Sequence, residues 1–265
     1  MPAETILITG ASSGIGLELA RCFAAEQSGN ENARIILTAR NTAALEILAA
    51  ELRRKWKVEA TVLTADLSLR ETPKQIFEKL SAQKIAVDVL VNNAGFGASG
   101  AFGELSLARQ MEIVQVNVNA LVELTGLFLP SMIQRKRGGI LNVGSVAGFV
   151  PGPGMAVYFA TKAFVQSFTE ALAEELIGTG VVVSVLCPGP TETNFSAVAR
   201  GEKMRVFKSA KMSASVVAGI GHRAFRRGKI IAVPGWSNRF LVFTPRLAPR
   251  AAVRKLSARF NRTTD

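Results

Sequence analysis

The chain is expected to fold as a single α/β domain: a doubly wound, seven-stranded parallel sheet with helices on both faces. Three observations lead to that class. Short β-branched apolar runs alternate with stretches of 3.6-residue periodicity, the pattern of successive βαβ crossovers and hence of parallel strands. A glycine-rich turn joins the first run to the first helical stretch. The composition, 48% hydrophobic and 20% charged over 265 residues, supplies one large buried core and excludes intrinsic disorder.

The strands are expected at residues 5–9 (TILIT), 34–38 (RIILT), 59–63 (EATVL), 87–91 (VDVLV), 139–143 (GILNV), 181–186 (VVVSVL) and 229–233 (KIIAV). Each is strand-length and bounded by polar or turn residues. Between them, periodic stretches such as 17–25, 43–52 and 164–176 read as helices. Residues 1–235 make the catalytic domain in this reading, and 236–265 form a basic C-terminal extension.

The opening residues, MPAETILITG, lack the basic and apolar segments of a secretory signal, so none is expected. No stretch reads as the ~20 apolar residues of a spanning helix. Cys22 and Cys187 have neither CxxC nor metal-ligand spacing, which suits a reducing compartment, and a cytoplasmic protein with free thiols is expected. His222 is the only histidine, which excludes a Ser-His-Asp triad and a multi-histidine metal site; it reads as a surface helix residue.

In a doubly wound sheet, ligands bind outside the carboxyl ends of the strands, so the residues after each strand are the ones to inspect. The first strand runs into TGASSGIG, residues 9–16. Thr9, Gly10, Ser12, Ser13, Gly14, Ile15 and Gly16 would let backbone approach a pyrophosphate at a helix N-terminus, although the spacing departs from GxGxxG and a ligand-free glycine turn has the same composition. After the second strand stands Arg40 rather than a carboxylate, either a solvated arginine or the partner of a ribose 2′-phosphate; NADP(H) is therefore expected over NAD(H). Asp66, with Leu67 beside it, could accept from an adenine amine. Asn92, Asn93, Ala94 and Gly95 supply small polar groups along the same cleft.

The only tyrosine stands in VYFATKAF, four residues before a lysine. Positions i and i+4 share a helix face, so Tyr158 and Lys162 are neighbours, and the ammonium is expected to pull the phenol below its ordinary value of about 10. A phenol so tuned can hand a proton to a carbonyl oxygen while the carbon receives a hydride. Ser145, at the end of the fifth strand, could hydrogen-bond the substrate oxygen. Asn117 is a polar residue among valines in a long helical stretch.

With TGASSGIG, NNAG, Asn117, Ser145, YFATK and PGPTET in this order, residues 5 to about 195 resemble the short-chain dehydrogenase/reductase family in its core form, a Rossmann fold. The resemblance is nearest to a group named after a DltE-like oxidoreductase, kin to hydroxysteroid dehydrogenases and long-chain ketoacyl reductases. It implies that Tyr158 is the general acid/base, that Lys162 binds the nicotinamide ribose and lowers the tyrosine pKa, that Ser145 orients the carbonyl, and that Asn117 holds a water in a proton relay. It further implies that Pro188, Gly189, Thr191 and Thr193 border the nicotinamide, and that the protein is a homo-oligomer, a dimer or tetramer. Many NADPH-preferring relatives carry a basic residue where this chain has Ser13, so Arg40 must do most of the discrimination.

The uncharged run between Ser145 and Tyr158 offers Phe149, Val150, Met155 and Val157 to a pocket, favouring a small hydrophobic carbonyl or alcohol over a sugar or keto acid; packing against the sheet or a subunit is the other use of the run. Residues from about 190 to 215 resemble a substrate lid. The charge is concentrated at the C-terminal end: from Arg200 onwards sixteen lysines and arginines stand against two acids. Residues 236–262 include a helical stripe of Val253, Leu256 and Phe260 flanked by basic residues. Such a helix could lie on an anionic membrane at its inner face, on a partner, or over the protein's own core with its arginines solvated. Nucleic-acid binding is not expected, because no reader motif appears.

Overall fold

The structure, a computed structural model, describes residues 2–199 and 211–261. The sheet strands are β1 (Thr5–Thr9), β2 (Arg34–Ala39), β3 (Glu59–Thr64), β4 (Val89–Asn92), β5 (Gly138–Val143), β6 (Val181–Leu186) and β7 (Ile231–Ala232). The helices are α1 (Gly14–Glu26), α2 (Thr42–Trp56), α3 (Thr72–Ala82), α4 (Leu107–Gln134), α5 (Ala156–Glu175), α6 (Ala214–Arg226), α7 (Trp236–Phe243) and α8 (Arg250–Phe260). The strands pair in the order β3-β2-β1-β4-β5-β6-β7, every neighbour parallel. Order reverses at β1, whose neighbours β2 and β4 lead the chain in opposite directions, and the crevice above β1 and β4 is where such a sheet takes a ligand.

Both faces of the sheet are buried, which is why its strands read as continuous apolar runs rather than as alternation. On one face Ile6, Ile8, Ile35 and Leu37 meet Leu19 and Phe23 of α1, Leu48 and Leu52 of α2, and Val217 and Phe225 of α6. On the other, Leu7, Ile36, Leu90 and Ile140 meet Ile76 and Leu80 of α3, Leu124 and Phe128 of α4, and Leu172 of α5.

Helix α5 runs from Ala156, ahead of the periodic stretch 164–176, and carries Tyr158 and Lys162 in its first two turns, on one helix as their spacing implies. Several expectations are corrected. Strand β4 starts at Val89 rather than 87, and β7 keeps only two paired residues of the run 229–233. Helix α4 is, by length and composition, apolar enough to cross a membrane, contrary to the reading of the sequence, where Arg109, Glu112 and Glu123 obscured it; it packs on the sheet through Leu121, Leu124, Phe128 and Met132. His222 is not a surface residue. Its ring meets Phe23 edge-on at 4.7 Å, and its Nε2 lies 3.1 Å from Glu26 in a cluster where Arg226 donates to both Glu26 and Glu4. Burial alone would raise the Glu26 carboxyl, but hydrogen bonds from His222 and Arg226 hold it below the usual carboxylate value.

The C-terminal extension folds back on the domain. Ser257 Oγ of α8 donates to Pro151 O at 2.6 Å and Asn261 Nδ2 to Pro153 O at 3.1 Å, fixing α8 over the loop that leads into α5. Of the residues read as a lid, Thr191–Glu192 pairs with Met212–Ser213, and Phe195–Val198 makes one helical turn; residues 200–210 lie outside the described residues.

Candidate active site

A cleft of about 1700 Å³ opens at the carboxyl ends of the strands. Single-ligand pockets span roughly 300–1,000 Å³, so it has room for a dinucleotide and a second molecule. One end is lined by Gly10, Ser12, Ser13, Gly14, Ile15, Arg40, Asp66, Leu67, Asn93, Ala94 and Gly95; Ser145, Met155, Tyr158, Lys162, Pro188, Gly189, Thr191 and Thr193 line the other.

The glycine turn is bare for a steric reason. Gly10 and Gly14 have φ of +65° and +57°, the left-handed region that side chains disfavour. A Cβ on Gly10 would lie 2.8 Å from Asn93 Nδ2, and one on Gly14 would lie 2.8 Å from Thr193 Cγ2. The result is a backbone cradle at the N-terminus of α1, shaped to receive an anion. Thr9 and Gly16 do not line the cleft. Thr9 is 1% exposed, and its Oγ1 accepts from the amides of Asn93 and Ala94 at 3.0 Å each. Gly16 leaves space for Asn93 Nδ2, which donates to Thr9 O at 2.9 Å and Gly10 O at 3.1 Å. These contacts clamp the end of β1 to the end of β4. Near Asp66, Arg40 is exposed at the rim, with no acid paired to it among the described residues. Asp66 Oδ1 accepts from Ser68 N at 3.0 Å, which fixes the carboxylate in its turn.

Asn92 does not line the cleft either. It turns into the core, where its Nδ2 donates to Asn142 Oδ1 at 2.9 Å and Asn142 Nδ2 donates to Thr169 Oγ1 at 2.9 Å, a buried polar ladder from β4 through β5 to α5.

Tyr158 and Lys162 emerge from the start of α5 beside Ser145, which caps a 3₁₀ turn over Val146–Phe149 by accepting from Ala147 N at 3.1 Å. Tyr158 is 9% exposed and Lys162 5%. Burial pushes the phenol up to about 12, with a hydrogen bond from Ser145 pulling the other way, and burial pushes the lysine down to about 8. The expectation of a lowered phenol is therefore overturned for the protein alone. Lys162 Nζ donates to Val143 O at 2.8 Å and stands 5.9 Å from the tyrosine ring centre, so desolvation outweighs its attraction.

That value carries a test. Because the chain holds one tyrosine, ultraviolet titration of the phenolate reads Tyr158 alone, with an expected midpoint near 12. A midpoint at or below about 10, the ordinary value, would contradict the burial argument. Since the folded value lies above the unfolded one, this group's stabilisation is complete below about pH 10 and is lost as pH rises through about 12.

Asn117 lies under the cleft wall rather than in it. It is 1% exposed, inside a π-helical turn, Gln115–Asn119, that interrupts α4. Its Oδ1 accepts from Phe96 N at 3.1 Å, while its Nδ2 donates to Phe96 O at 3.0 Å and to Thr161 Oγ1 at 3.0 Å. The side chain thus spends its bonds fastening the β4 loop to α5. Phe149 is likewise not in the cavity: the 3₁₀ turn directs Val146 and Ala147 inward and packs Phe149 beside Leu121 and Val165.

Three features around the cleft had no stated role there in the sequence reading. Gly97 allows the Tyr158 ring to pack, since a Cβ there would lie 3.1 Å from it. Phe195 stands 5.1 Å from the Tyr158 ring centre. Leu241, Leu256 and Phe260 of the C-terminal helices reach the cavity wall; the apolar stripe on α8 was the available signal.

Known proteins agree with this geometry. The profile of the short chain dehydrogenase family matches residues 4–203. The chain is 34% identical over 216 residues to an NADP-dependent 3-hydroxy acid dehydrogenase of Schizosaccharomyces pombe, covering 80% of this chain and 82% of that protein. It is 37% identical over 191 residues to the ketoacyl reductase HetN of Nostoc, covering 71% of this chain but only 64% of that protein. Among solved structures, a short-chain dehydrogenase from Sphingobium yanoikuyae in complex with NADPH superposes with a TM-score of 0.81 at 31% identity, covering 92% of this chain and 93% of that one. A bulky-bulky ketone specific alcohol dehydrogenase from Comamonas testosteroni gives 0.77 at 28% identity, covering 96% of each chain. With its glycine cradle, its Ser145, Tyr158 and Lys162 at one cleft and this likeness over most of its length, the chain belongs to the short-chain dehydrogenase family of oxidoreductases.

Proposed function

We propose that the protein is an NADP(H)-dependent reductase of hydrophobic ketones or aldehydes, reversible to alcohol oxidation, with Tyr158 as general acid/base. The observation that carries this reading is the placement of Tyr158, Ser145 and Lys162 where the glycine-cradled cleft meets an apolar cavity. The cradle of Gly10, Ser12, Ser13 and Gly14 would hold the pyrophosphate, Arg40 the 2′-phosphate, and Lys162, Pro188, Gly189, Thr191 and Thr193 the nicotinamide end. A reduced nicotinamide bound there supplies a hydride. Ser145 Oγ orients the carbonyl, and the buried Tyr158 hydroxyl, protonated at neutral pH, donates a proton to its oxygen. Asn117 acts by positioning, holding the loop after β4 against α5 beside a water relay. Met155, Phe159, Phe195 and Leu256 make the cavity apolar, which favours a substrate with few polar groups.

The reading includes a cytoplasmic homo-oligomer, a dimer or tetramer, within the DltE-like group. It is tested by following NADPH consumption against a panel of carbonyls. Turnover of apolar ketones or aldehydes is expected; equal turnover of sugars and keto acids, or of nothing, would count against it. Arg40→Ala should lower the preference for NADPH over NADH by about 10- to 100-fold, the worth of a charge-assisted phosphate contact. An unchanged ratio would remove Arg40 from cofactor choice.

A further inference from the structure

Helix α7 presents an arrangement that the reductase reading does not use. Trp236, Phe240 and Phe243 recur at i, i+4 and i+7 on one helical stripe, and Leu247 continues it in the following 3₁₀ turn. They are 83%, 71%, 54% and 75% exposed, and none of them lines the cleft. A soluble helix normally buries such a stripe. Arg239 lies over the Trp236 ring at 5.1 Å, Arg250, Arg254, Lys255 and Arg259 of the following helix are exposed as well, and no acidic residue occurs from Trp236 to Asn261.

We propose that this face of α7 and α8 is a docking surface for an anionic lipid bilayer, with the aromatic stripe seated at the headgroup boundary and the arginines on lipid phosphates. Charge decides against a second copy as the occupant. A two-fold interface sets a patch against itself, and this one would bring arginine against arginine with no acid to compensate. An anionic bilayer answers both components at once, because tryptophan and phenylalanine suit the interfacial region and basic side chains suit its surface. The surface is also continuous with the cavity: Leu241, Leu256 and Phe260 are about half exposed and line the cavity wall as well. The two helices that carry the docking face therefore also border the cavity.

The test reads binding alone and needs no substrate, so its result is independent of the proposed reaction. The purified protein is sedimented with vesicles of phosphatidylcholine and with vesicles in which half is replaced by phosphatidylglycerol. Sedimentation is expected with the anionic vesicles only, weakening as salt is added. The triple variant Trp236→Ser, Phe240→Ser, Phe243→Ser and the double variant Arg250→Glu, Arg254→Glu should each reduce it by about tenfold or more. All five residues are exposed and outside the cleft wall, so melting temperature and NADPH affinity should stay at wild-type values. Failure of the wild-type protein to sediment with anionic vesicles would overturn the proposal, as would equal, salt-insensitive binding to both vesicles. An oligomer dissolved by the triple serine variant, without vesicle binding, would assign the face to a second copy instead.

Discussion

Replacing Tyr158 with phenylalanine is expected to lower carbonyl reduction by about a hundred- to ten-thousandfold, the usual worth of a positioned general acid, while NADPH affinity changes little. The substitution removes one oxygen and keeps the ring, so the packing against Met155, Phe159 and Phe195 survives. The lost group is the hydroxyl beside Ser145 that the proposed reaction uses as proton donor. In the protein alone burial pushes the phenol up to about 12, so its acid form is present throughout the neutral range and reduction should hold its rate there. Alcohol oxidation needs the phenolate and should rise with pH over the same interval. Steady-state rates for both directions, read beside a cofactor titration of the variant, check the claim; near-normal reduction by Tyr158→Phe would remove the tyrosine from the chemistry.

The second large effect is expected at Gly10. In Gly10→Val a β-branched residue must occupy φ +65°, at about 1–2 kcal/mol for the left-handed conformation. Its Cβ would also fall 2.9 Å from Ala94 Cα, a backbone atom that cannot step aside without moving the β4 loop. The turn must therefore shift, and with it the amides at the start of α1. A displacement of an ångström in a positioning element costs on the order of a hundredfold, so NADPH affinity should fall by about that factor and the melting temperature by a few degrees. Affinity within threefold or so of wild type would mean that the cradle does not hold the pyrophosphate.

Much of the fold was legible because burial on both faces writes strands as unbroken apolar runs, as in TILIT and VVVSVL, and because a glycine turn after the first of them has few other uses. The Tyr158 and Lys162 pair was legible by helical spacing. What could not be read depended on contacts distant in sequence. The inward or outward direction of Phe149 was set by a single 3₁₀ turn. Asn92 and Asn93 are adjacent and chemically identical, yet pleating sends the first into the buried ladder and the second to the cleft. The direction of the Tyr158 shift depended on desolvation, which spacing does not report. The fold-back of α8 rests on hydrogen bonds to Pro151 and Pro153 from residues about a hundred positions away.

The most direct test of the central claim is a fluorescence titration of the protein with NADPH and, separately, with NADH. Saturable binding of both is expected, tighter for NADPH, at one site per chain. Saturable binding of neither would contradict the claim that this cleft is a dinucleotide site.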